Sequence, residues 1–115
     1  MEREITRKRK TRNDRVHLIY EIINTKTDDF YIGITVRNGQ AIKGSLQKRW
    51  KQHVSRAIRN EKDFTICQAI REHGADAFVI RHLESVRGKK AAHEREVEWI
   101  EAYNPTLNQH RKKIK

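Results

Sequence analysis

Residues His17–Thr35 read HLIYEIINTKTDDFYIGIT, two runs of β-branched and aromatic side chains with a polar segment between them. Such runs are typical of β-strands, and Asn, Thr and Asp favour turns. The stretch therefore predicts a hairpin, with strands over Val16–Ile23 and Phe30–Thr35 joined by a turn over Asn24–Asp29. Each predicted strand carries one tyrosine, so the hairpin would place the two tyrosines side by side.

The rest of the chain predicts three helices and one more strand. Ser45 can cap a helix that runs to about Asn60, and Asp63 can cap a shorter one that ends at Gly74. A strand over Phe78–Val86 and a helix over Lys89–Tyr103 follow, with Pro105 stopping the helix. The predicted fold is a single small α+β domain of order ββααβα, a three-stranded antiparallel sheet flanked by helices. The expected boundaries are a basic arm over 1–15, the domain over 16–108 and a basic tail over 109–115.

The charge of the chain points to a polyanionic partner. Lys and Arg number 26 against 15 Asp and Glu, a formal net charge of +11. Nucleic acid is the commonest partner of such a chain. The interval from Lys43 to Arg59 holds six basic residues and no acidic one. The expected nucleic-acid contacts are Lys43, Lys48, Lys51 and Arg56, together with Arg7, Lys8, Arg9 and Lys10 in the arm.

Composition also limits the remaining classes. No apolar run approaches the roughly 18 residues of a membrane span, so no membrane association is expected. The one cysteine excludes an intramolecular disulfide and a zinc site built on paired cysteines. These features favour a cytoplasmic protein.

Glu96 lies on the unexpected side of the last predicted helix. At about 100° per residue, Trp99, Ile100 and Val97 fall within roughly 100° of it, whereas the other glutamates of this helix fall opposite. A carboxylate on an apolar face is costly unless it is paired, protonated or bound to a metal. Two interpretations remain open: an ion pair with another element, or a ligand for a hard divalent ion such as Mg²⁺.

Arg49 and His53 form a second candidate cluster. Their i, i+4 spacing places them on one helix face, beside an apolar stripe of Leu46, Trp50, Val54, Ala57 and Ile58. Such residues are compatible with simple packing. A guanidinium and an imidazole are also what a phosphodiester site uses, the first to stabilise anionic charge and the second to move protons.

These pieces, taken in order, resemble the GIY-YIG nuclease family. The resemblance rests on LIY and YIG in the hairpin, KRWKQHV over Lys48–Val54, EREVEWI over Glu94–Ile100, and YNPTLN over Tyr103–Asn108. It covers about 16–108 and is nearest to the catalytic domains of phage-type homing endonucleases. One departure is Leu18, which stands where the first motif has glycine.

The resemblance implies a metal-dependent DNA endonuclease and assigns a role to each matching residue. The catalytic set is Tyr20, Tyr31, Arg49, His53, Glu96 and Asn108. Glu96 would bind one Mg²⁺ or Mn²⁺, and Arg49 would contact a phosphate oxygen. A tyrosine, with Tyr20 preferred over Tyr31, would be the general base, and His53 would take the proton onward. Tyr31 and Asn108 would orient water and phosphate, and Gly33 would allow close approach at the second motif.

Several alternatives stay open on the sequence alone. The basic surface is equally compatible with a non-catalytic DNA-binding protein, which would need no metal. Charge does not separate DNA from RNA, so an RNA-directed nuclease is a further alternative. Monomer and dimer on DNA are both possible, as are homing, restriction and DNA degradation as roles.

Overall fold

The hairpin forms as predicted in the computed structural model, which describes residues 15–37, 41–59 and 65–108. Strand β1 spans Val16–Asn24 and β2 spans Phe30–Val36. Asp28 closes the turn with a φ of +70°, a conformation that Asp tolerates better than most residues. The predicted basic arm, the basic tail and the Asp63 cap lie outside the described residues.

The remaining elements follow the predicted order. Helix α1 spans Ile42–Arg59, α2 spans Thr65–His73, β3 spans Phe78–Arg87 and α3 spans Lys89–Tyr103. A short 3-10 turn, Ala75–Ala77, leads into β3. The sheet order is β2-β1-β3 with both pairings antiparallel, which confirms the predicted fold class.

The two faces of the sheet carry different layers. On one face, Leu18, Tyr20 and Ile22 are fully buried in a cluster with residues of α1 and α2. Helix α3 covers the opposite face, because Arg95 and Trp99 both donate to Glu84, a residue paired with Ile19 across the sheet. The central strand is therefore buried on both sides, and its tyrosine points into the α1 layer.

Three local predictions were wrong. Ser45 does not cap α1 but lies inside it, where its hydroxyl donates to the carbonyl of Ala41 at 2.9 Å. Ile58, placed in the apolar stripe of α1, is 74% exposed. Val97 on α3 is also exposed, because the stripe of α3 that meets the sheet is narrower than the helix wheel predicts.

The ends of the last two helices match the expected chemistry. Gly74 follows α2 with a φ of +88°, a region that favours glycine, and its N–H donates to the carbonyl of Ile70. Helix α3 ends at Tyr103. Asn104 follows in the left-handed conformation as its C-terminal cap, directly before Pro105. Of the described helices, none has the length and apolar character needed to span a bilayer.

Candidate active site

Tyr20 is the centre of the site because two side chains of α1 meet at its hydroxyl. Its ring projects from β1 toward α1, and its Oη lies 3.0 Å from His53 Nε2 and 3.2 Å from Arg49 Nε. The guanidinium can only donate, so the phenolic proton is available to the imidazole, which accepts it in the tautomer protonated on Nδ1. The i, i+4 pair predicted on α1 therefore converges on one hydroxyl.

Tyr31 forms an aromatic cluster with Tyr20 and His53. It lies on β2 with its ring centroid 6.2 Å from that of Tyr20 and 5.3 Å from that of His53. Tyr20 has no exposed surface, whereas Tyr31 is only partly buried. The two predicted tyrosines thus occupy an inner and an outer position beside one histidine.

Gly33 makes room for this cluster. It is the Cα partner of Tyr20 across the hairpin, and a Cβ built on it would lie 2.6 Å from Tyr20 Oη and 2.7 Å from Tyr31 Cε2. Atoms do not approach that closely without displacement. The glycine of the second tyrosine motif is therefore required by the two tyrosine side chains themselves, rather than by backbone conformation.

Gly33→Ala should displace the tyrosines, with a loss of stability of about 1–3 kcal/mol as in other overpacked cores, and a loss of cleavage. Gly44→Ala is the matched control, because its Cβ would meet Ala41 at an ordinary 3.5 Å inside α1. That change should stabilise the protein by up to about 1 kcal/mol through helix propensity. Urea unfolding and cleavage rates measure both. A Gly33→Ala protein as stable and active as the parent would contradict this arrangement.

Burial sets the protonation states of the cluster. Burial raises the pKa of Tyr20, and Arg49 together with a hydrogen bond from Tyr31 offsets only part of the rise. Burial also raises the pKa of Tyr31, and the charge of Tyr20 adds to it. Burial and the positive charges of Arg49 and Arg56 lower the pKa of His53 to about 3. At neutral pH the cluster therefore holds two neutral phenols and one neutral imidazole, whose Nε2 accepts the hydrogen bond from Tyr20.

Glu96 brings a carboxylate from α3 toward this cluster. Its side chain is 19% exposed, and its Oε1 lies 3.7 Å from Nδ1 of the more exposed His93. Burial raises the pKa of Glu96, against the opposing charges of His93 and Arg49. The negative charge of Glu96 in turn acts on Tyr20 and Tyr31 and raises the pKa of both. The position of Glu96 therefore agrees with the helix-wheel prediction that one glutamate of α3 faces inward, and its side chain lies beside the partly exposed His93.

Asn108 is buried at the outer edge of β2. Its Oδ1 accepts from Ile32 N–H at 2.9 Å, and its Nδ2 donates to the Ile32 carbonyl at 2.8 Å. The amide is thereby engaged by the strand next to Tyr31, and this favours a positioning role. The predicted contact of Asn108 with water or phosphate stays a prediction.

The predicted basic contacts divide into two groups. Lys48, Lys51 and Arg56 line one groove on α1 together with Arg49, whereas Lys43 does not line it. The predicted contacts Arg7, Lys8, Arg9 and Lys10 lie outside the described residues.

One residue that supports the site was not predicted from the sequence. Gln52 Oε1 accepts from Arg49 Nη1 at 2.8 Å and so holds the guanidinium that reaches the tyrosine. Its i, i+3 spacing from Arg49 is the signal that could have identified it.

A buried phenol held between a guanidinium and a neutral imidazole, with a half-buried carboxylate nearby, is compatible with a site that stabilises anionic charge and moves protons. Residues 16–112 match the model of the GIY-YIG catalytic domain. Because this match spans most of the chain, the protein belongs to the GIY-YIG family and is a nuclease of that type. No curated protein and no solved structure matches the chain.

Proposed function

We propose that this protein is a Mg²⁺- or Mn²⁺-dependent endonuclease that hydrolyses phosphodiester bonds in DNA. The observation that carries the proposal is the Tyr20 hydroxyl, which Arg49 and His53 hold at 3.2 and 3.0 Å beside the inward-facing Glu96. Family membership and the net charge of +11 support DNA as the substrate.

The donor set suits a hard divalent ion. Within the described ranges, no group of three or more His, Cys, Asp or Glu side chains could hold a metal. Zinc, which takes three or four protein ligands, does not fit such a site. Mg²⁺ commonly binds one or two carboxylates and completes its octahedron with water and phosphate oxygens, so the single carboxylate of Glu96 fits it. When bound, such an ion supplies Lewis-acid stabilisation of charge on the phosphoryl and leaving oxygens.

Arg49 is placed to stabilise the same developing charge. Its Nε is engaged by Tyr20 and its Nη1 by Gln52, so the plane of the guanidinium is fixed. A donor that is oriented before the reaction pays no reorganisation cost in the transition state. We assign to Arg49 a contact with a non-bridging oxygen of the scissile phosphate.

The burial of Tyr20 favours different roles for the two tyrosines from those expected from the sequence. A residue with no exposed surface does not meet water directly, whereas Tyr31 is partly exposed at the same cluster. We therefore assign the proton from the attacking water to Tyr31, whose own proton passes to Tyr20 while the proton of Tyr20 passes to His53 Nε2. The relay ends with hydroxide bound to phosphorus, and the leaving oxygen departs with the electron pair of the broken P–O bond. The proton rests on His53 only transiently, because its pKa of about 3 favours release to solvent, and the leaving oxygen takes up a proton from solvent.

Incubation with supercoiled plasmid tests the proposal. With Mg²⁺ or Mn²⁺, nicked circles should appear first and linear DNA later, since one cleft cuts one strand at a time; with EDTA, the plasmid should stay intact. Undiminished cleavage in EDTA would exclude the metal-dependent reaction. Plasmid binding without cleavage under any metal would identify a non-catalytic DNA-binding protein, and preferential cleavage of RNA would identify an RNA-directed nuclease.

Finer assignments remain proposals that follow from the sequence. They are kinship with phage-type homing endonucleases, based on KRWKQH and EREVEWI, and a cytoplasmic location. Monomer and dimer on DNA are the two alternatives for the oligomeric state. Sedimentation with and without DNA would report the oligomeric state. A strict monomer that produces linear DNA without prior nicking would contradict the expectation that one active site cuts one strand at a time.

A further inference from the structure

The outer face of α1 carries a continuous line of hydrogen-bond donors. Residues spaced i, i+4, i+7 and i+11 lie along one side of a helix. On α1 these positions are Lys48, Gln52, Ser55 and Arg59, with Lys51 and Arg56 beside them. Together with Arg49 they line one open groove, hereafter the α1 groove. At 1.5 Å per residue the line is about 16 Å long.

Helix α1 itself contributes no carboxylate to this line, since Ile42–Arg59 contains no acidic residue. Gln52 is also turned into a donor, because Arg49 Nη1 occupies its Oε1 and leaves its amide N–H groups for the groove. The groove thus presents cations, an amide and a hydroxyl, and this combination recognises phosphate oxygens.

Three cations of the described chain outside α1 pair with neighbouring carboxylates. Arg81 pairs with Glu21 at 2.8 Å, and Lys90 pairs with Glu94 at 2.8 Å. Arg95 lies between Glu84 and Glu98. By contrast, Lys48 and Lys51 are exposed on a helix without acidic side chains. Helix α1 therefore carries a run of positive charge that no carboxylate of the same helix offsets.

The α1 groove is continuous with the catalytic cluster. Arg49 belongs to both, since it lines the groove and donates to Tyr20. Arg56 also links them, because its charge contributes to the lowered pKa of the buried His53. A phosphate strand that lies in the groove would therefore reach Arg49 at one end.

We propose that the α1 groove binds the backbone of one DNA strand on one side of the scissile phosphate, from Arg49 toward Arg59. The inference rests on the proposed function, since it takes Arg49 as the contact to the scissile phosphate. Charges on one strand repeat about every 3.4 Å of duplex axis, so a line of roughly 16 Å accommodates several phosphates. The groove includes Gln52, Ser55 and Arg59, which charge alone did not identify, and excludes Lys43.

The test is the salt dependence of binding to a DNA duplex in EDTA, where no cleavage occurs. Each phosphate contact contributes about −0.9 to the slope of log affinity against log salt. Lys48→Gln and Lys51→Gln should each flatten the slope by about that amount, and the double variant by about twice as much. Lys43→Gln is the matched control, an exposed lysine on the same helix outside the groove, and should leave the slope unchanged.

A second variant tests the groove without removing a cation. Ser55→Asp introduces a carboxylate into the middle of the line and should weaken binding more than Ser55→Ala does. Circular dichroism with thermal unfolding checks that each variant keeps the fold, as expected for residues on the outer side of α1.

The outcomes separate this inference from the proposed function. Equal slopes for the parent and both lysine variants, with plasmid cleavage intact, would contradict strand binding in the α1 groove without contradicting the proposed nuclease activity. Flattened slopes in a protein that does not cut DNA would support strand binding in the α1 groove and contradict the proposed nuclease activity. An RNA duplex bound more tightly than DNA, with the same flattening, would overturn the assignment to DNA.

Discussion

Tyr20→Phe should lower the single-turnover rate of DNA cleavage by roughly 10²–10⁴-fold, the usual contribution of a positioned acid or base. The phenylalanine ring fills the same space in the core, so the change is confined to the hydroxyl. Without that hydroxyl, Arg49 Nε and His53 Nε2 lose the partner that each now has. The proton route from Tyr31 to His53 is then interrupted at its middle.

The variant should also lose stability, by about 1–3 kcal/mol, because a buried imidazole nitrogen is left unsatisfied. Affinity for DNA, measured in EDTA, should change far less than the rate, since Tyr20 has no exposed surface. Urea unfolding and binding isotherms distinguish this loss of catalysis from a loss of fold or of substrate.

Tyr31→Phe decides between the relay and direct action by Tyr20. The relay requires both hydroxyls, so Tyr31→Phe should be impaired to a similar extent, although its cost in stability should be smaller because Tyr31 is partly exposed. Normal cleavage by Tyr31→Phe, combined with loss in Tyr20→Phe, would make Tyr20 the direct base and end the relay.

The relay also restricts the pH dependence. With the pKa of His53 near 3, the imidazole is neutral at pH 5 and above. Cleavage should therefore show no break near pH 6.5, the ordinary value for histidine. A break at that pH that disappears in His53→Gln would show that the histidine is charged in the free enzyme.

The local parts of this structure could be predicted because they follow from side-chain periodicity. The alternating runs on either side of Asn24–Asp29 predicted the hairpin, and the helix wheel singled out Glu96. The start of α1 could not be predicted in the same way. A serine near a helix start can cap it or donate to the carbonyl four residues earlier, and Ser45 does the second, with Ala41.

The assembly of the site depends on contacts that no local pattern contains. Tyr20 and His53 are 33 residues apart, and Ile32 and Asn108 are 76 apart. The motif order predicted that these residues belong together but not which atoms meet. The buried position of Tyr20 and the engagement of the Asn108 amide by Ile32 became visible only when the layers were packed, and both alter the roles assigned from sequence.

Glu96→Gln should abolish cleavage while leaving the fold intact. The substitution keeps the shape of the side chain and removes the charge that would hold the metal ion. Glu94→Gln is the matched control on the same helix, because Glu94 is exposed and pairs with Lys90. That control should cut DNA at the parental rate, so a loss shared by both variants would point to the helix rather than to the site.

The same variant should be as stable as the parent without metal, or more stable. Burial raises the pKa of Glu96 above its unfolded value. The resulting penalty is absent below the unfolded pKa, grows as the pH rises through the folded pKa, and is fully present above it. At neutral pH the parent therefore carries a poorly solvated carboxylate that the amide relieves, a loss of stability kept for activity.

Metal-dependent stability separates the two interpretations of Glu96. An ion that binds only the folded protein raises its stability by RT ln(1 + [L]/Kd), about 2.7 kcal/mol at a hundred-fold excess over Kd. Titration of Mg²⁺ should therefore raise the melting temperature of the parent and of Glu94→Gln, and leave that of Glu96→Gln unchanged. If Glu96 instead holds a buried cation, Glu96→Gln should cost about 3–5 kcal/mol in the absence of metal. In the structure Glu96 Oε1 lies 3.7 Å from Nδ1 of His93, whose side chain is 52% exposed, so this contact is not a buried ion pair.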